Sequence, residues 1–297
     1  SGNFNDKLFV EGHFESENCT LYGESTASES DGTVHYEHTF RKGEFIAYRY
    51  FDKDSIVIKE GKKKDGEFEF EGYNPNGSIK SKGTYDSSGG RKGLWSFYSE
   101  YGVLSERGNY TDDEPDGKQT GYYQDGSVYY QSEYVKGQLN GFYVEYYPNG
   151  KMKSQGYYMD GEAHGEWRYY RKDGSISSTA YFHKGQQNGT ADFFSVEGKL
   201  VDKVFTDFGQ ITKEIEYDTK GDSSVVFDIH HFAGTDVKEL ITSSYENGQT
   251  YSLLTYVNKI KHGPYKSFYF DGKLLSEGNY TNDQLDGKYH ILSLIHI

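Results

Sequence analysis

Glycine recurs along this chain with a period of 24 residues, and this period constrains the fold more than any other feature. The first glycine of each unit, which we number position 0, occurs at Gly93, Gly117, Gly141, Gly165 and Gly189, and again at Gly263 and Gly287. A second glycine follows at position 9, and an aromatic residue follows at position 17 in most units. Such a fixed period is the signature of a repeat protein, in which each unit packs only against its neighbours.

Each unit is typical of one β-hairpin. The residue before the second glycine is Asp or Asn in several units, as in Asp125-Gly126, and these dipeptides supply the positive φ that tight hairpin turns require. The same chemistry stands at the unit boundary, as in Asp116-Gly117, which predicts a second turn there. Turns at both ends of every strand predict an antiparallel meander. No run of residues has the apolar spacing and caps of a helix, so we expect almost no helix.

The alternation of side chains along a strand predicts the face on which each position lies. Positions 11, 15 and 17 share parity and carry an aliphatic residue, a small residue and a ring, respectively. We interpret them as the inner face, where the small residue leaves space for a neighbouring ring to lie flat over the backbone. The aromatic residues at position 2 have the opposite parity to those at position 5. Either a bulge intervenes or rings occupy both faces.

The composition favours a thin sheet rich in rings over a layered aliphatic core. Of the 297 residues, 17% are aromatic, with 30 Tyr and 19 Phe, although all hydrophobic residues together make up only 34%. The formal net charge is −14, which disfavours nucleic acid and anionic lipid as partners. No stretch of 18 apolar residues occurs, so membrane insertion is not expected. Cys19 is the single cysteine, which excludes an intramolecular disulfide.

These observations predict an all-β protein, an elongated open antiparallel β-sheet solenoid of tandem hairpin repeats of about 24 residues. Residues 1–31 have weak repeat character and are predicted to form an irregular N-terminal cap, and residues 32–297 are predicted to form the repeat array. The array is irregular at residues 213–238. We interpret that segment as a drifted repeat with a longer loop or as a functional insertion.

Two segments carry a resemblance to a known family. Residues 141–161 read Gly-Phe-Tyr-Val-Glu-Tyr-Tyr-Pro-Asn-Gly-Lys-Met-Lys-Ser-Gln-Gly-Tyr-Tyr-Met-Asp-Gly, and residues 263–280 follow the same order of an aromatic pair, Asn/Asp-Gly-Lys and small-x-Tyr. This signature resembles the bacterial variant of the MORN repeat, over roughly residues 32–290. The resemblance implies stacked β-hairpins in an extended, curved sheet, and binding rather than catalysis. Bacterial proteins of this kind include antitoxin or immunity-type proteins and many exported proteins.

We predict no catalytic residue, no metal site and no cofactor. The repeated Asp and Asn beside glycine are accounted for by turn chemistry. His230 and His231 are adjacent in a predicted strand and point to opposite faces, so they cannot readily chelate one ion. Glu162, His164 and Glu166 share parity at a unit boundary, where a solvated turn is the simpler interpretation. No Gly-x-Ser-x-Gly motif and no glycine-rich loop before a helix occurs, so we predict that the protein is not an enzyme.

The tyrosines are interpreted mainly as structural, with some available for binding. In adjacent pairs such as Tyr146-Tyr147, neighbouring side chains point to opposite faces, so one ring of each pair is expected to be exposed. A ladder of exposed rings is a plausible contact surface because aromatic residues dominate interface hot spots. The predicted partner-binding residues are Tyr122, Tyr146, Tyr147, Tyr169 and Tyr170.

The leading functional hypothesis is a non-enzymatic repeat scaffold that binds a protein partner. In one version the partner is a toxin whose basic surface is covered by an acidic face, in an antitoxin-like or immunity-like role. The alternative is an exported glycan-binding or cell-envelope-binding protein that uses the aromatic ladder. The compartment stays open, with an exported, periplasmic or surface location favoured over the cytoplasm.

Overall fold

The computed structural model describes residues 9–15, 20–28, 32–41, 44–64, 66–217, 223–231, 237–245 and 247–292. The chain forms two compact units, Ser1–Gly150 (unit 1) and Lys151–Ile297 (unit 2). All regular structure in these residues is β-strand, and the two strands of each hairpin pair antiparallel, so the predicted all-β fold of tandem hairpins is confirmed. No helix long and apolar enough to cross a membrane is found in the described part of the chain.

Unit 1 contains two antiparallel sheets. The first sheet consists of β1 (Phe9–Glu15), β2 (Thr20–Ser28), β3 (Val34–Arg41), β4 (Glu44–Phe51) and β5 (Val57–Lys62). The second sheet contributes β6 (Phe68–Tyr73), β7 (Ile79–Tyr85), β8 (Arg91–Tyr98), β9 (Leu104–Thr111), β10 (Glu114–Tyr122), β11 (Val128–Val135), β12 (Gln138–Leu139) and β13 (Gly141–Tyr146). Because β12 is so short, β11 pairs with both β12 and β13.

Unit 2 continues the same hairpin pattern. Its strands are β14 (Met152–Met159), β15 (Glu162–Tyr170), β16 (Ile176–His183), β17 (Gln186–Phe194), β18 (Leu200–Asp207), β19 (Gln210–Tyr217), β20 (Ser223–His231), β21 (Val237–Ser244), β22 (Thr250–Val257), β23 (Ile260–Phe268), β24 (Leu274–Thr281) and β25 (Gln284–Ile291). Each strand pairs antiparallel with the next one along the chain.

The turn at the second glycine forms as predicted. In the β10–β11 hairpin the Gly126 amide donates to the Tyr123 carbonyl at 3.0 Å, and the Tyr123 amide donates to the Ser127 carbonyl at 2.8 Å. Gly126 has a φ of 83°, the left-handed conformation that closes a three-residue loop of this kind. The Asp125 carboxylate accepts from the Ser127 amide at 2.9 Å and from its hydroxyl at 2.6 Å, which fixes the turn.

The unit boundary differs from the prediction. The turn lies before position 0, at pairs such as Lys136-Gly137 and Asp160-Gly161, and both residues of each pair have the positive φ of a type I′ turn. The glycine at position 0 lies inside a strand, at a bulge: residues 116–118 of β10 face the single residue Asn109 of β9. The prediction of a turn at this glycine is therefore wrong. A bulge and a tight turn both require a positive φ, so glycine alone does not distinguish them.

A second bulge, inside the hairpin, exchanges the two faces of the sheet. Tyr169 pairs with Ser178, but Tyr170 pairs with Ile176, which leaves Ser177 as an extra residue. Paired residues share a face and successive residues alternate, so Ile176 and Ser178 lie on opposite faces although they are two residues apart. The same shift occurs in the β8–β9, β10–β11, β17–β18 and β23–β24 hairpins. Position 11 therefore lies on the outer face, and its predicted place beside positions 15 and 17 on the inner face is wrong.

The inner face carries positions 2, 15 and 17, and there the expected packing of rings on small residues is confirmed. A Cβ built on Gly83 at position 15 would lie 2.3 Å from Cδ2 of Trp95, and one built on Gly156 would lie 2.3 Å from Cδ2 of Trp167. Each indole therefore rests directly on the backbone of the preceding hairpin. Trp95 is 1% exposed and is the most completely buried large side chain of the described residues.

An aromatic cluster joins the two sheets of unit 1. Its buried members are Phe45, Tyr48 and Tyr50 of β4, Phe68 and Phe70 of β6, Trp95 of β8 and Tyr110 of β9. Several of these rings meet edge to face, as at Tyr48 and Phe70, whose centroids are 4.9 Å apart. This geometry suits the quadrupole of aromatic rings, so the cluster takes the place of a layered aliphatic core.

The two irregular segments contain strands. The predicted N-terminal cap, 1–31, includes β1 and β2, which pair with each other and, through β2, with β3. Residues 213–238 include β20, which pairs in continuous register with β21. Cys19 lies outside the described residues, as do residues 1–8 and 29–31 of the cap. Of His230 and His231 the structure describes only the backbone, within β20.

Candidate binding surface

The outer face of the sheet carries three parallel rows of side chains, fixed by the pairing register. The middle row is formed by positions 3 and 14, and in unit 2 it runs Gln155, Arg168, Thr179, Asp192 and Lys203. A second row is formed by positions 5 and 11, and a third by positions 1 and 16. A polar row is therefore bordered by rows that include rings and aliphatic side chains.

The five predicted binding tyrosines occupy three different environments. Tyr122 and Tyr146 in unit 1, and Tyr170 in unit 2, all stand at position 5 on the outer face. Tyr169 stands at position 4 on the inner face, where its ring stacks with Trp167 at a centroid distance of 6.3 Å. Tyr147 begins the turn that follows β13, and its carbonyl accepts from the Gly150 amide at 2.9 Å. The structure places three of the five residues at equivalent outer-face positions and separates the other two.

These tyrosines are half-buried, so neither ring of the two adjacent pairs is exposed as expected. The Tyr170 hydroxyl accepts from Nε2 of Gln155 at 2.8 Å, and the Tyr146 hydroxyl donates to Oε1 of Gln131 at 3.4 Å. Burial raises the pKa of Tyr169 above its usual value. The hydroxyls of these two outer-face rings therefore contact the neighbouring polar row.

Hydroxyl groups at position 6 connect successive hairpins. The Tyr123 hydroxyl donates to the Tyr146 carbonyl at 2.7 Å, and the Tyr245 and Tyr269 hydroxyls donate to the Phe268 and Leu292 carbonyls at 2.9 and 3.0 Å. In the unit that begins at Gly165, Arg171 takes this place and donates to the Phe194 carbonyl. Position 6 therefore serves the stacking of repeats.

Two exposed rings of the outer face that sequence reasoning missed lie at position 16. Tyr157 of β14 is 57% exposed and Tyr181 of β16 is 45% exposed. Tyr157 pairs with His164 and Tyr181 pairs with Glu166, so the two rings flank β15 from either side. The sequence does predict this face, because position 16 alternates with the buried ring at position 17. A criterion based on adjacent tyrosines selects only positions 4 to 6.

An ion pair lies between these two rings. Nη2 of Arg168 donates to Oε2 of Glu166 at 2.7 Å, and both side chains project from the outer face of β15. The hydrogen bond to Glu166 raises the pKa of Arg168 still further above its usual value, so the guanidinium stays charged. We call Tyr157, Glu166, Arg168, Tyr170 and Tyr181 the tyrosine patch. It offers two exposed rings and a charged pair on one rigid face.

The acidic residues of the repeats and the histidines near the patch have separate surroundings. Among the described residues, no three His, Cys, Asp or Glu side chains are grouped closely enough to hold a metal ion. His164 lies beside His183, with ring centroids 5.4 Å apart, while Glu166 is paired with Arg168. At the hairpin turns, hydrogen bonds from Ser127 and Ser175 lower the pKa values of Asp125 and Asp173.

The fold and this surface define a class: a repeat scaffold of tandem β-hairpins. The family model described as MORN repeat variant matches residues 67–87, 115–136, 139–160 and 261–282. The resemblance to the MORN repeat variant drawn from the sequence is confirmed at these four segments. A comparison with curated proteins found no match.

The chain is similar over most of its length to parts of much larger solved structures. One is TcdB2-TccC3 without its hypervariable C-terminal region, with 12% identity, 98% of this chain and 17% of that chain covered, and a TM-score of 0.20. Another is the Photorhabdus luminescens Tc holotoxin pore, with 11% identity, 88% of this chain and 20% of that chain covered, and a TM-score of 0.15. The chain thus spans a fifth or less of their length, and TM-scores this low carry no information about function.

Proposed function

We propose that this chain is a non-enzymatic scaffold that binds a protein partner through the tyrosine patch of unit 2. The observation that supports the proposal best is the placement of Tyr157 and Tyr181, exposed at 57% and 45%, on either side of the Arg168–Glu166 pair. Tyrosine and arginine are the residues most enriched among interface hot spots, and a flat ring loses little conformational entropy on binding.

The acidic charge of the chain selects the kind of partner. A net charge of −14 attracts proteins with a basic surface and speeds their association. An antitoxin-like or immunity-like role, in which the scaffold covers a basic toxin surface, is the form of the proposal that this charge favours. Because exposed charges are screened by salt, the association is expected to weaken as the ionic strength rises.

The same geometry supports the proposal that the protein is not an enzyme. The acids that stand before the second glycine in several repeats, such as Asp125 and Asp173, hold their own turns by accepting from Ser127 and Ser175. Their pKa values are lowered, whereas a carboxyl group that acts as a general acid near neutral pH needs a raised pKa. The role of these acids in the hairpin turns therefore accounts for their recurrence along the chain.

The test uses quantitative affinity capture from the native extract with immobilised wild-type chain and two variants. The patch variant is Tyr157→Ser/Tyr181→Ser, and the matched control is Tyr101→Ser/Tyr251→Ser, which removes two other exposed tyrosines. We expect a protein that the wild-type and control chains retain and that the patch variant loses at least about tenfold, as hot-spot truncation predicts. A partner retained equally by all three chains would refute the role of the patch.

Glycan binding is the second candidate, and the spacing of the rings favours it. Tyr157 and Tyr181 lie on strands two apart, hence about 10 Å from each other, with the polar Glu166 and Arg168 between them. Stacking of sugar rings on tyrosine with polar groups alongside would use this arrangement. A glycan array probed with wild-type, Tyr157→Ser/Tyr181→Ser and Tyr146→Ala/Tyr170→Ala chains separates the two functions, since a protein-binding scaffold gives no patch-dependent glycan signal.

A further inference from the structure

A cleft on unit 1 combines two cations that form no ion pair with the described residues and an exposed apolar side chain. The cleft has a volume of about 260 Å³ and opens where the two sheets of unit 1 meet at Tyr48. The Tyr48 hydroxyl donates to the Glu69 carbonyl at 3.3 Å and accepts from the Glu71 amide at 3.2 Å. This hydroxyl occupies the edge of β6 in place of a neighbouring strand, so the cleft is a built feature of the junction.

The pairing register aligns the polar residues of the cleft. Lys82 of β7 pairs with Ser96 of β8, and Ser96 pairs with Arg107 of β9. Paired residues share a face, so Lys82 and Arg107 stand on either side of Ser96, about 10 Å apart across two strand spacings. Both side chains line the cleft together with Ser96.

Neither of these two cations forms an ion pair in the described part of the chain, although Lys82 stands directly across from Glu71 and its charge helps to lower the pKa of that carboxyl. Lys59, the third cation of the cleft, is engaged with Glu71 at 3.0 Å. The Lys82 ammonium lies 6.0 Å from the centroid of the Tyr98 ring, a contact that leaves its hydrogen-bond donors available. Arg107 forms no ion pair or side-chain hydrogen bond to the described residues. Two charged donors therefore face one small space.

The charge of the cleft is opposite to that of the chain. Three cations and two acids, Glu69 and Glu71, line it, although the chain as a whole has a net charge of −14. Leu94, which is 47% exposed, adds an apolar wall. A long polyanion such as nucleic acid is repelled by the surrounding acidic surface, whereas one carboxylate next to an apolar side chain fits both features.

We propose that this cleft binds an acidic peptide segment of a partner protein, with one carboxylate held by Lys82 and Arg107 above the Ser96 hydroxyl. Charge-assisted hydrogen bonds from an ammonium and a guanidinium supply the specificity for the carboxylate. An apolar residue next to that carboxylate in the peptide packs against Leu94. The surface differs from the tyrosine patch in place and in charge, so either proposal can hold without the other.

The test measures fluorescence anisotropy of a labelled hexapeptide of alternating Glu and Leu with the full chain. Lys82→Glu/Arg107→Glu is the cleft variant, and Arg41→Glu/Lys53→Glu, which reverses two exposed cations elsewhere in unit 1, is the charge-matched control. We expect the cleft variant to weaken binding at least about tenfold, and the control to weaken it less than about twofold. Far-UV circular dichroism checks folding, and Lys82→Gln/Arg107→Gln replaces the reversal if it unfolds.

Two further probes separate the sources of binding. The alternating Gln-Leu hexapeptide is expected to bind at least about tenfold more weakly than the Glu-Leu peptide, since it offers no carboxylate. Inorganic phosphate at millimolar concentration is expected not to displace the peptide, because it makes no contact with Leu94. Equal loss in both charge variants, displacement by phosphate, or no anisotropy change at millimolar chain concentration would each overturn the proposal.

Discussion

The contact between Trp95 and Gly83 gives the sharpest test of how the repeats pack. A Cβ on Gly83 would lie 2.3 Å from Cδ2 and 2.4 Å from Cε2 of Trp95, whereas carbon atoms in contact need about 3.5 Å. The indole would have to move by more than about 1 Å. It is 1% exposed and donates its Nε1 hydrogen to the Thr84 carbonyl at 3.1 Å, so it has little room to move.

Gly83→Ala is therefore expected to destabilise unit 1 by roughly 2 kcal/mol. Overpacking of a close-packed core costs about 1–3 kcal/mol and weakening of the indole hydrogen bond about 1 kcal/mol, while replacing glycine within a strand returns about 0.5–1 kcal/mol. In a Trp95→Leu background the collision is absent. There the same substitution is expected to be neutral or to stabilise by about 0.5 kcal/mol.

The assay is urea denaturation followed by far-UV circular dichroism for the four chains of this double-mutant cycle. The expected coupling free energy between the two positions is about 2–3 kcal/mol, well above the error of such cycles. An equal cost of Gly83→Ala in both backgrounds would refute the reasoning, as would a stabilising effect in the wild-type background. A later repeat gives a natural comparison, because the following hairpin presents Ala191 to Ala180 at position 15, where it presents Trp95 to Gly83, while Trp167 is the partner of Ala180 within its own hairpin.

Two further outcomes follow from the contacts described above. Burial, with a smaller effect of Lys80, lowers the pKa of His38 from 6.5 to about 4. Because the unfolded chain takes up the proton first, unit 1 should lose on the order of 3 kcal/mol of stability as the pH falls from 6.5 to 4. Thermal melts across this range should lose that dependence in His38→Phe, and an unchanged pH profile would contradict the assignment. The Tyr123→Phe substitution removes the hydrogen bond from the Tyr123 hydroxyl to the Tyr146 carbonyl and should lower the free energy of unfolding by about 1 kcal/mol. The loss should be seen as faster amide exchange in β11 and β13. Exchange rates equal to those of the wild-type chain would count against the role of position 6.

The hairpin itself could be predicted from sequence because its chemistry is local. Asp125 and Gly126 determine their turn through a carboxylate that caps the backbone and a residue that accepts positive φ. The ring on the small residue was predictable as well, since Gly83 and Gly156 each leave one side of a strand open. In both cases the cause lies within a few residues or in a direct neighbour.

The bulges could not be predicted from the alternation of residues. Parity assumes that each residue takes one place in the ladder, and Ser177 takes none, so Ile176 changes face. Glycine in the sequence signals a positive φ, which turns and bulges both require, so the sequence does not distinguish the two at Gly117, whose φ is 102° at a bulge. The exposed Tyr157 and Tyr181 are a separate omission, because alternation with the buried ring at position 17 already places position 16 on the outer face.

Thiol labelling of two single-cysteine variants tests the assignment of faces most directly. Met152 at position 11 is 38% exposed and Ser154 at position 13 is 6% exposed, although the two residues lie on one strand, two apart. In a Cys19→Ser background, Met152→Cys is predicted to react with a maleimide at least about tenfold faster than Ser154→Cys, because side chains on opposite faces differ in access to solvent. Equal reaction rates would mean that both side chains share one face, and the outer surface described here, with its binding patch, would then be wrongly assigned.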